Sequence, residues 1–306
     1  MSTPFFSIIM PVYNKEEFVS RAIESVLAQD FTSFELIIVV DKSTDLSLEG
    51  VLKFNDIRIR VFTRDTPGAG GYAARNLGIQ ESQANWIAFL DADDIWTQNH
   101  LYELHKEIHS SHYSLDMVVM GYKSDKGKGC SLDFGDRVLR QQEVLSLFSQ
   151  RDFIHTNCFA VNRKNILSCG GFPDGRARQG GDADTWLRLV LEGQYFRINK
   201  LITSFYFSLD GGVISSKKNM SGFHPIYETV RSLLNGKKGD IDSNRIQALL
   251  KKISNRKNIS WMLHKRVARY FKFSDLACIY FEVLGPKDIS KILLLLLPRV
   301  LLAKML

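Results

Sequence analysis

Over the first two thirds of the chain, short apolar runs alternate with helix-spaced stretches, and each early run gives way abruptly to a polar cluster. Phe6 to Met10 meets Pro11, after which Phe18, Ala22, Ile23, Val26 and Leu27 recur at helical spacing. Phe34 to Val40, rich in β-branched residues, ends in Asp41-Lys42-Ser43-Thr44-Asp45, and Ile57 to Phe62 predicts a third strand. The loop Pro67 to Gly71 leads into a helix from about Tyr72 to Glu81, and Trp86 to Leu90 then runs into Asp91, Asp93 and Asp94. Further on, Asp116 to Gly121 and Phe159 to Asn162 read as strands and Glu143 to Ser149 as a short helix. Gly180 to Leu189 enters an amphipathic helix ending near Gly193, and Phe196 to Phe207 reads as a final strand or pair of strands. Strands and helices alternating at this spacing predict an α/β domain with a mostly parallel sheet.

In such sheets ligands bind beyond the carboxyl ends of the strands, so Pro11 to Asn14, Asp41 to Asp45 and Asp91 to Asp94 are expected to converge on one pocket. Three crowded carboxylates repel, and a cation, hydrogen-bond donors or water must relieve them. In isolation the Asp91 cluster reads as a solvated turn, with Asp94 or Thr97 capping the next helix.

Composition and charge then bound the picture. A chain of 306 residues, 45% hydrophobic, can bury a large core. Cys130, Cys158, Cys169 and Cys278 form no Cys-x-x-Cys pair and no cluster with His, which suggests neither a zinc site nor a disulfide framework and fits a reducing cytoplasmic setting. No basic segment or small-residue cleavage site precedes Phe5, so no secretory signal is expected. Residues 216–306 hold 18 Lys or Arg against 6 Asp or Glu, whereas residues 1–215 hold 22 against 27. An acidic body, 1–215, thus precedes a basic, mainly helical region, 216–306, that suits an anionic membrane surface. The basic residues are interleaved with helix-spaced aromatics, the pattern of core plus solvated face, which disfavours nucleic acid as a partner. Helices are expected at Pro225 to Asn235, Ile241 to Ile253 and Ile259 to Leu284. The terminal run from Lys291 is broken by Pro298, Arg299 and Lys304, too soon to span a bilayer, and leaves monotopic attachment at its inner face open.

Several motifs in order make residues 1 to about 215 resemble the family 2 glycosyltransferases of GT-A fold, a Rossmann-like α/β architecture. Ser7-Ile-Ile-Met-Pro-Val-Tyr-Asn14 looks like the family's opening strand and turn, and Ser25 to Gln29 like the end of its first helix. Asp41 to Asp45 is similar to the Asp-Asp-Gly-Ser-Thr-Asp turn, with Val40 at its first Asp and Lys42 at its Gly. Ala74 to Gly78 resembles Ala-Arg-Asn-x-Gly, Asp91 to Asp93 the Asp-x-Asp motif, and Gly181-Asp182 the Glu-Asp pair, with Gly for Glu.

The resemblance implies an inverting transfer of sugar from a nucleotide-sugar to a saccharide or lipid-linked acceptor. It implies that Asp93 holds Mn²⁺ or Mg²⁺ on the diphosphate, with Asp91 assisting or contacting the ribose, and that Pro11, Tyr13, Asp41 and Arg75 build the nucleoside pocket. Asp182 becomes the base, with Asp184 its competitor. The plain alternatives are a helix cap for Asp182, an ordinary turn for Pro11 to Asn14 and a surface ion pair for Arg75. His155 and His224 receive no role, and Ser208 to Gly222 is a linker or a lid bringing Lys217 or Lys218 to the diphosphate. A catalytically impaired membrane- or nucleic-acid-binding scaffold and a nucleotidyltransferase are the competing classes. The latter would place a Gly-rich basic loop where Pro11 to Asn14 stands.

Overall fold

The computed structural model describes residues 3–207, 222–236, 244–268, 270–297 and 302. In chain order its early elements are β1 (Phe6–Val12), α1 (Val19–Leu27), β2 (Phe34–Asp41), α2 (Ser47–Leu52), β3 (Ile59–Arg64), α3 (Tyr72–Glu81), β4 (Trp86–Phe89), β5 (Ile95–Trp96) and α4 (His100–His109). Next come β6 (Met117–Ser124), β7 (Gly129–Cys130), β8 (Leu139–Arg140), α5 (Gln141–Gln150), β9 (Phe159–Asn162), α6 (Arg163–Ser168), α7 (Gly181–Glu192) and β10 (Tyr195–Tyr206). Three helices follow: α8 (Pro225–Asn235), α9 (Asn244–Val267) and α10 (Pro286–Leu294).

The strands form one sheet in the order β3-β2-β1-β4-β9-β6-β10-β5. β3, β2, β1 and β4 are mutually parallel, and β9 enters antiparallel to both β4 and β6. Residues Phe196 to Phe207 are one bulged strand, β10, parallel to β6. Helices cover both faces, which is why β1 and β2 are largely apolar, and the two polar residues inside them pair, Ser7 Oγ donating to Glu35 Oε1 at 2.6 Å. Side chains alternate along β1, so Phe6, Ile8, Met10 and Val12 enter a core with α1 and α4. Ile9 points the other way, into a core shared with Tyr72, Phe89, Phe172 and Trp186.

That second core fixes how α3 approaches the sheet. A Cβ on Gly78 would lie 2.5 Å from Ile9 Cγ2, so only glycine lets α3 rest directly on β1. Arg75, three residues earlier on the same helix face, is thereby delivered toward the carboxyl ends of the strands.

Of the described C-terminal helices, α8 and the first half of α9 share this core, whereas α10 packs in a separate cluster with Ile259 and Leu263. Ile226 and Val230 of α8 and Leu250 and Ile253 of α9 pack with Phe148 and Val190. α9 runs unbroken from Asn244 to Val267, where the hydrophobic pattern predicts a break between Ile253 and Ile259. The polar residues that interrupt the pattern are buried and satisfied. Asn258 Oδ1 accepts from His224 N at 3.0 Å, and Asn255 exchanges two 2.8 Å bonds with the backbone of Tyr280. The expected helix from Ile259 to Leu284 instead ends at Val267. Lys265 pairs with Asp275 at 2.8 Å, and the chain continues in 3₁₀ turns at Phe273–Cys278 and Phe281–Val283. All four cysteines are free.

Candidate active site

The three polar clusters lie side by side because β1 is flanked by β2 and β4, with Val12 opposite Val40 and Ile9 opposite Phe89. Asn14, at φ 50°, turns the chain after β1, and its Oδ1 accepts from Thr44 N at 2.8 Å. Asp45 accepts from Glu16 N at 3.1 Å and Ser47 N at 3.0 Å, so it ties the two turns together at the start of α2. Asp41, last residue of β2 and buried, receives Arg64 Nη1 at 2.5 Å and Gly68 N at 2.9 Å. It therefore anchors the glycine-rich loop that precedes α3. Pro11 is half-buried, lining the β1 end below Gly71, and Tyr13 is 41% exposed at the rim.

That loop sets up the centre of the site. Gly70 and Gly71 take φ of 64° and 68°, left-handed values that favour glycine, and they turn the Gly70 carbonyl toward Arg75. Arg75 Nη1 donates to Gly70 O at 2.7 Å and Nη2 to Asp91 Oδ1 at 2.5 Å, while its guanidinium lies 5.2 Å from the Phe172 ring centroid. Only 5% exposed, Arg75 is a buried hub rather than a surface ion pair. Burial raises the Asp91 carboxyl, but the Arg75 charge and hydrogen bond outweigh it and hold Asp91 below the usual carboxylate range.

Asp182 belongs to the same electrostatic group. It occupies the second position of α7, after a Gly180 N-cap at φ 73°, so it is not the helix cap. Tyr72 Oη accepts from Gly181 N at 2.9 Å and pins this helix start to α3. Asp182 Oδ1 is buried with no hydrogen-bond partner among the described residues. Burial pushes its pKa up, Arg75 opposes this and Asp91 adds to it. Asp184, the competitor, is spent structurally on Arg188 at 3.0 Å and on Thr229 of α8.

Asp93 pairs with Lys15 Nζ at 2.5 Å, and its backbone carbonyl accepts from Arg21 Nη2 at 2.8 Å. Asp94 neither begins nor caps the following helix. It lies before β5, and α4 starts at His100 after Asn99. Its carboxyl receives Asn157 Nδ2 at 2.8 Å and Phe207 N at 3.0 Å, and burial, then Asp91 and Asp93, push its pKa up to about 9. It is neutral at neutral pH and stitches β4, β9 and β10 together behind the site.

Three groups that sequence reasoning left unassigned stand near this cluster. His155 bonds Asn157 Oδ1 at 2.5 Å, stacks on Tyr206 at 4.7 Å, and adds a field that lowers Asp91 and Asp182. Lys257 of α9, 2.6 Å from Asp152, acts on Asp182 in the same sense. Lys15 immediately follows the opening Pro-Val-Tyr-Asn motif, a signal that was available in the sequence; Lys257 has none. The region 208–221, with Lys217 and Lys218, lies outside the described residues.

Removing one member of a buried ion pair strands the other. Replacing Arg75 by Leu is expected to cost about 3–5 kcal/mol in urea unfolding, whereas Arg137→Ala, at an exposed pair with Glu143, should cost less than about 1 kcal/mol. Equal, small losses would contradict a buried hub.

Comparisons with known proteins identify the family and the fold. The family model described as glycosyl transferase family 2 matches residues 7–170, taking in all three strand-end clusters and stopping short of Asp182. Over 96 residues the chain is 45% identical to the UDP-Glc:alpha-D-GlcNAc-diphosphoundecaprenol beta-1,3-glucosyltransferase WfgD of Escherichia coli, covering 31% of this chain and 37% of that one. The chain thus spans well under half of that relative. It is 30% identical to the putative colanic acid biosynthesis glycosyl transferase WcaA of Escherichia coli K12 over 237 residues, 74% of this chain and 81% of the relative. Among solved structures, Staphylococcus aureus TarS 1-349 in complex with UDP-GlcNAc superimposes with a TM-score of 0.69 at 17% identity, covering 90% of this chain and 84% of that one. The fold is that of the GT-A glycosyltransferases, and the chain belongs to glycosyl transferase family 2.

Proposed function

We propose that this protein transfers a sugar from a UDP-sugar to a hydroxyl of a saccharide or lipid-linked saccharide, with inversion, in the synthesis of a cell-surface polysaccharide or glycan. The donor and acceptor classes are supported by the names of WfgD, which uses UDP-Glc and a diphosphoundecaprenol-linked acceptor, and of the UDP-GlcNAc complex of TarS. The observation that carries the chemistry is the buried, unpartnered Oδ1 of Asp182 beside Arg75 and Asp91.

Asp182 takes the proton of the acceptor hydroxyl, the hydroxyl oxygen bonds to the anomeric carbon from the opposite face, and the bond to the nucleoside diphosphate breaks. A carboxylate whose pKa is raised suits this work, since a stronger base holds the proton better. Pro11 and Tyr13 flank the nucleoside, Asp41 accepts from the base through lone pairs left beside Arg64 and Gly68, and Arg75 keeps Asp91 ionised toward the ribose.

For a metal, the donor set is hard carboxylate oxygen. Asp94 is spent, and among the described residues no group of three His, Cys, Asp or Glu closes a cage. Hard carboxylates suit Mn²⁺ or Mg²⁺, which Asp93 would hold, with Asp91 close by and substrate phosphates completing the shell. When bound, the ion would neutralise charge growing on the leaving diphosphate. Lys15 would release Asp93 to it and remain beside the phosphates.

Among the described residues no helix is long and apolar enough to cross a membrane. On α10 and in the turn that follows it, Ile289, Leu293 and Leu296 are 49%, 57% and 67% exposed at three- and four-residue spacing, beside Lys287 and Lys291. This apolar and basic stripe supports peripheral binding at an anionic membrane face.

Asp182→Asn should lower turnover by on the order of 1,000-fold or more while leaving UDP affinity within about twofold; substantial residual turnover sinks the assignment. Because Asp182 works ionised, the acid limb of kcat/KM should fall above the ordinary carboxylate range near pH ~4, and Arg75→Gln should move it further up. A limb that stays put in that variant contradicts the coupling. Leu293→Glu with Leu296→Glu should abolish co-sedimentation with phosphatidylglycerol vesicles, and undiminished binding would remove α10 from the interface.

A further inference from the structure

Beside the strand-end cluster lies a cavity of about 510 Å³, walled by residues 64 and 66–69, by the turn 174–179 and by Trp261 of α9. Its walls are joined to the catalytic elements. The 174–179 turn runs directly into Gly180 and the start of α7, which carries Asp182. The other turn hangs on Asp41 through Gly68 N, and it ends at Tyr72, whose Oη holds Gly181 N. His224 closes the gap to α9, since a Cβ on Gly180 would lie 2.7 Å from its Nε2 and its ring meets the Trp261 indole edge-on at 5.4 Å. A ligand in this cavity therefore sits against the same short segment that presents Asp182.

The lining has a definite chemistry. Three guanidinium groups, Arg64, Arg176 and Arg178, face one carboxylate, Asp174. Arg64 is committed to Asp41. Arg176 and Arg178 are exposed and make no ion pair among the described residues. The Trp261 Nε1, by contrast, is buried and has no partner among them. Single exposed arginines are ordinary, but two unspent forks and an indole lining one concavity match a ligand with an anionic phosphate and a sugar ring. Arginine forks bind phosphate oxygens in pairs, and an aromatic face receives the apolar face of a sugar.

We propose that this cavity receives the acceptor, and that the acceptor is a phosphate-bearing saccharide: Arg176 and Arg178 hold its phosphodiester or diphosphate, Trp261 supports its sugar, and a hydroxyl of that sugar is presented to Asp182. The inference rests on the transfer reading above and adds the acceptor's class and site. The chemistry is the same displacement, in which the proton passes to Asp182 and the nucleoside diphosphate leaves with its bonding electrons. The phosphate of the acceptor is a handle and is not consumed. The two arginines also keep this anion apart from the donor's diphosphate, which belongs on the Asp93 side.

The test is calorimetric binding to the full chain saturated with UDP and Mn²⁺, with decyl diphosphate as the lipid-diphosphate probe and a glycerol phosphate oligomer as the polymer-phosphate probe. Arg176→Ala with Arg178→Ala should weaken the bound probe by on the order of 100-fold, about tenfold per arginine. UDP affinity should stay within about twofold, which also reports that the variant is folded. Whichever probe binds the wild type and loses affinity identifies the source of the phosphate. Unchanged affinity in the double variant, displacement of the probe by excess UDP, or no binding of either probe overturns the proposal. Failure of the wild type to bind UDP sinks the transfer reading and this inference with it.

Discussion

The buried guanidinium of Arg75 is the constraint around which the site is arranged. A cation with 5% exposure is tolerable only if its partners are fixed, and here they are Gly70 O, Asp91 and the face of Phe172. Each partner depends on something further back. The Gly70 carbonyl is aimed by two left-handed glycines, that loop is hung on Asp41, and α3 itself is seated by the missing Cβ of Gly78 against Ile9. The ion pair is thus the end of a chain of packing and backbone conditions, and it keeps Asp91 ionised while tempering the rise in Asp182.

The C-terminal helices enter the same electrostatics. Thr229 of α8 bonds Asp184, His224 touches Gly180, and Lys257 of α9, itself paired with Asp152, lowers Asp182 by its charge. Burial drives the His224 imidazole down to about 3, so at neutral pH it packs as an uncharged ring. α7, which carries Asp182, is therefore braced from outside the region that the family model matches, residues 7–170. The exposed apolar stripe that begins on α10 lies on this same C-terminal part.

Much of the fold was legible because the early strands are buried on both faces, and an unbroken apolar run of strand length ending in a polar turn is what such burial demands. Their ends converge as expected, since parallel strands put all their carboxyl ends on one side. The site was less legible in proportion to how far its partners lie apart in sequence. Asp94 looked like a helix start because it precedes a helix, yet its environment is set by Asn157 and Phe207. Arg75 was placed in the nucleoside pocket, with a surface ion pair as the alternative, and only the approach of α3 to β1 shows that it is buried. The break expected within α9 failed because Asn255 and Asn258 are satisfied by Tyr280 and His224, contacts invisible to a periodicity.

The central claim is that the Asp91, Arg75 and Asp182 cluster performs an inverting displacement on a nucleotide-sugar. The most direct measurement is Mn²⁺-dependent release of nucleoside diphosphate from a panel of UDP-, GDP- and dTDP-sugars, with the anomeric configuration of the freed or transferred sugar followed by proton NMR. At least one UDP-sugar should yield sugar of inverted configuration with the wild type and not with Asp182→Asn. No release from any donor, or a product of retained configuration, would contradict it.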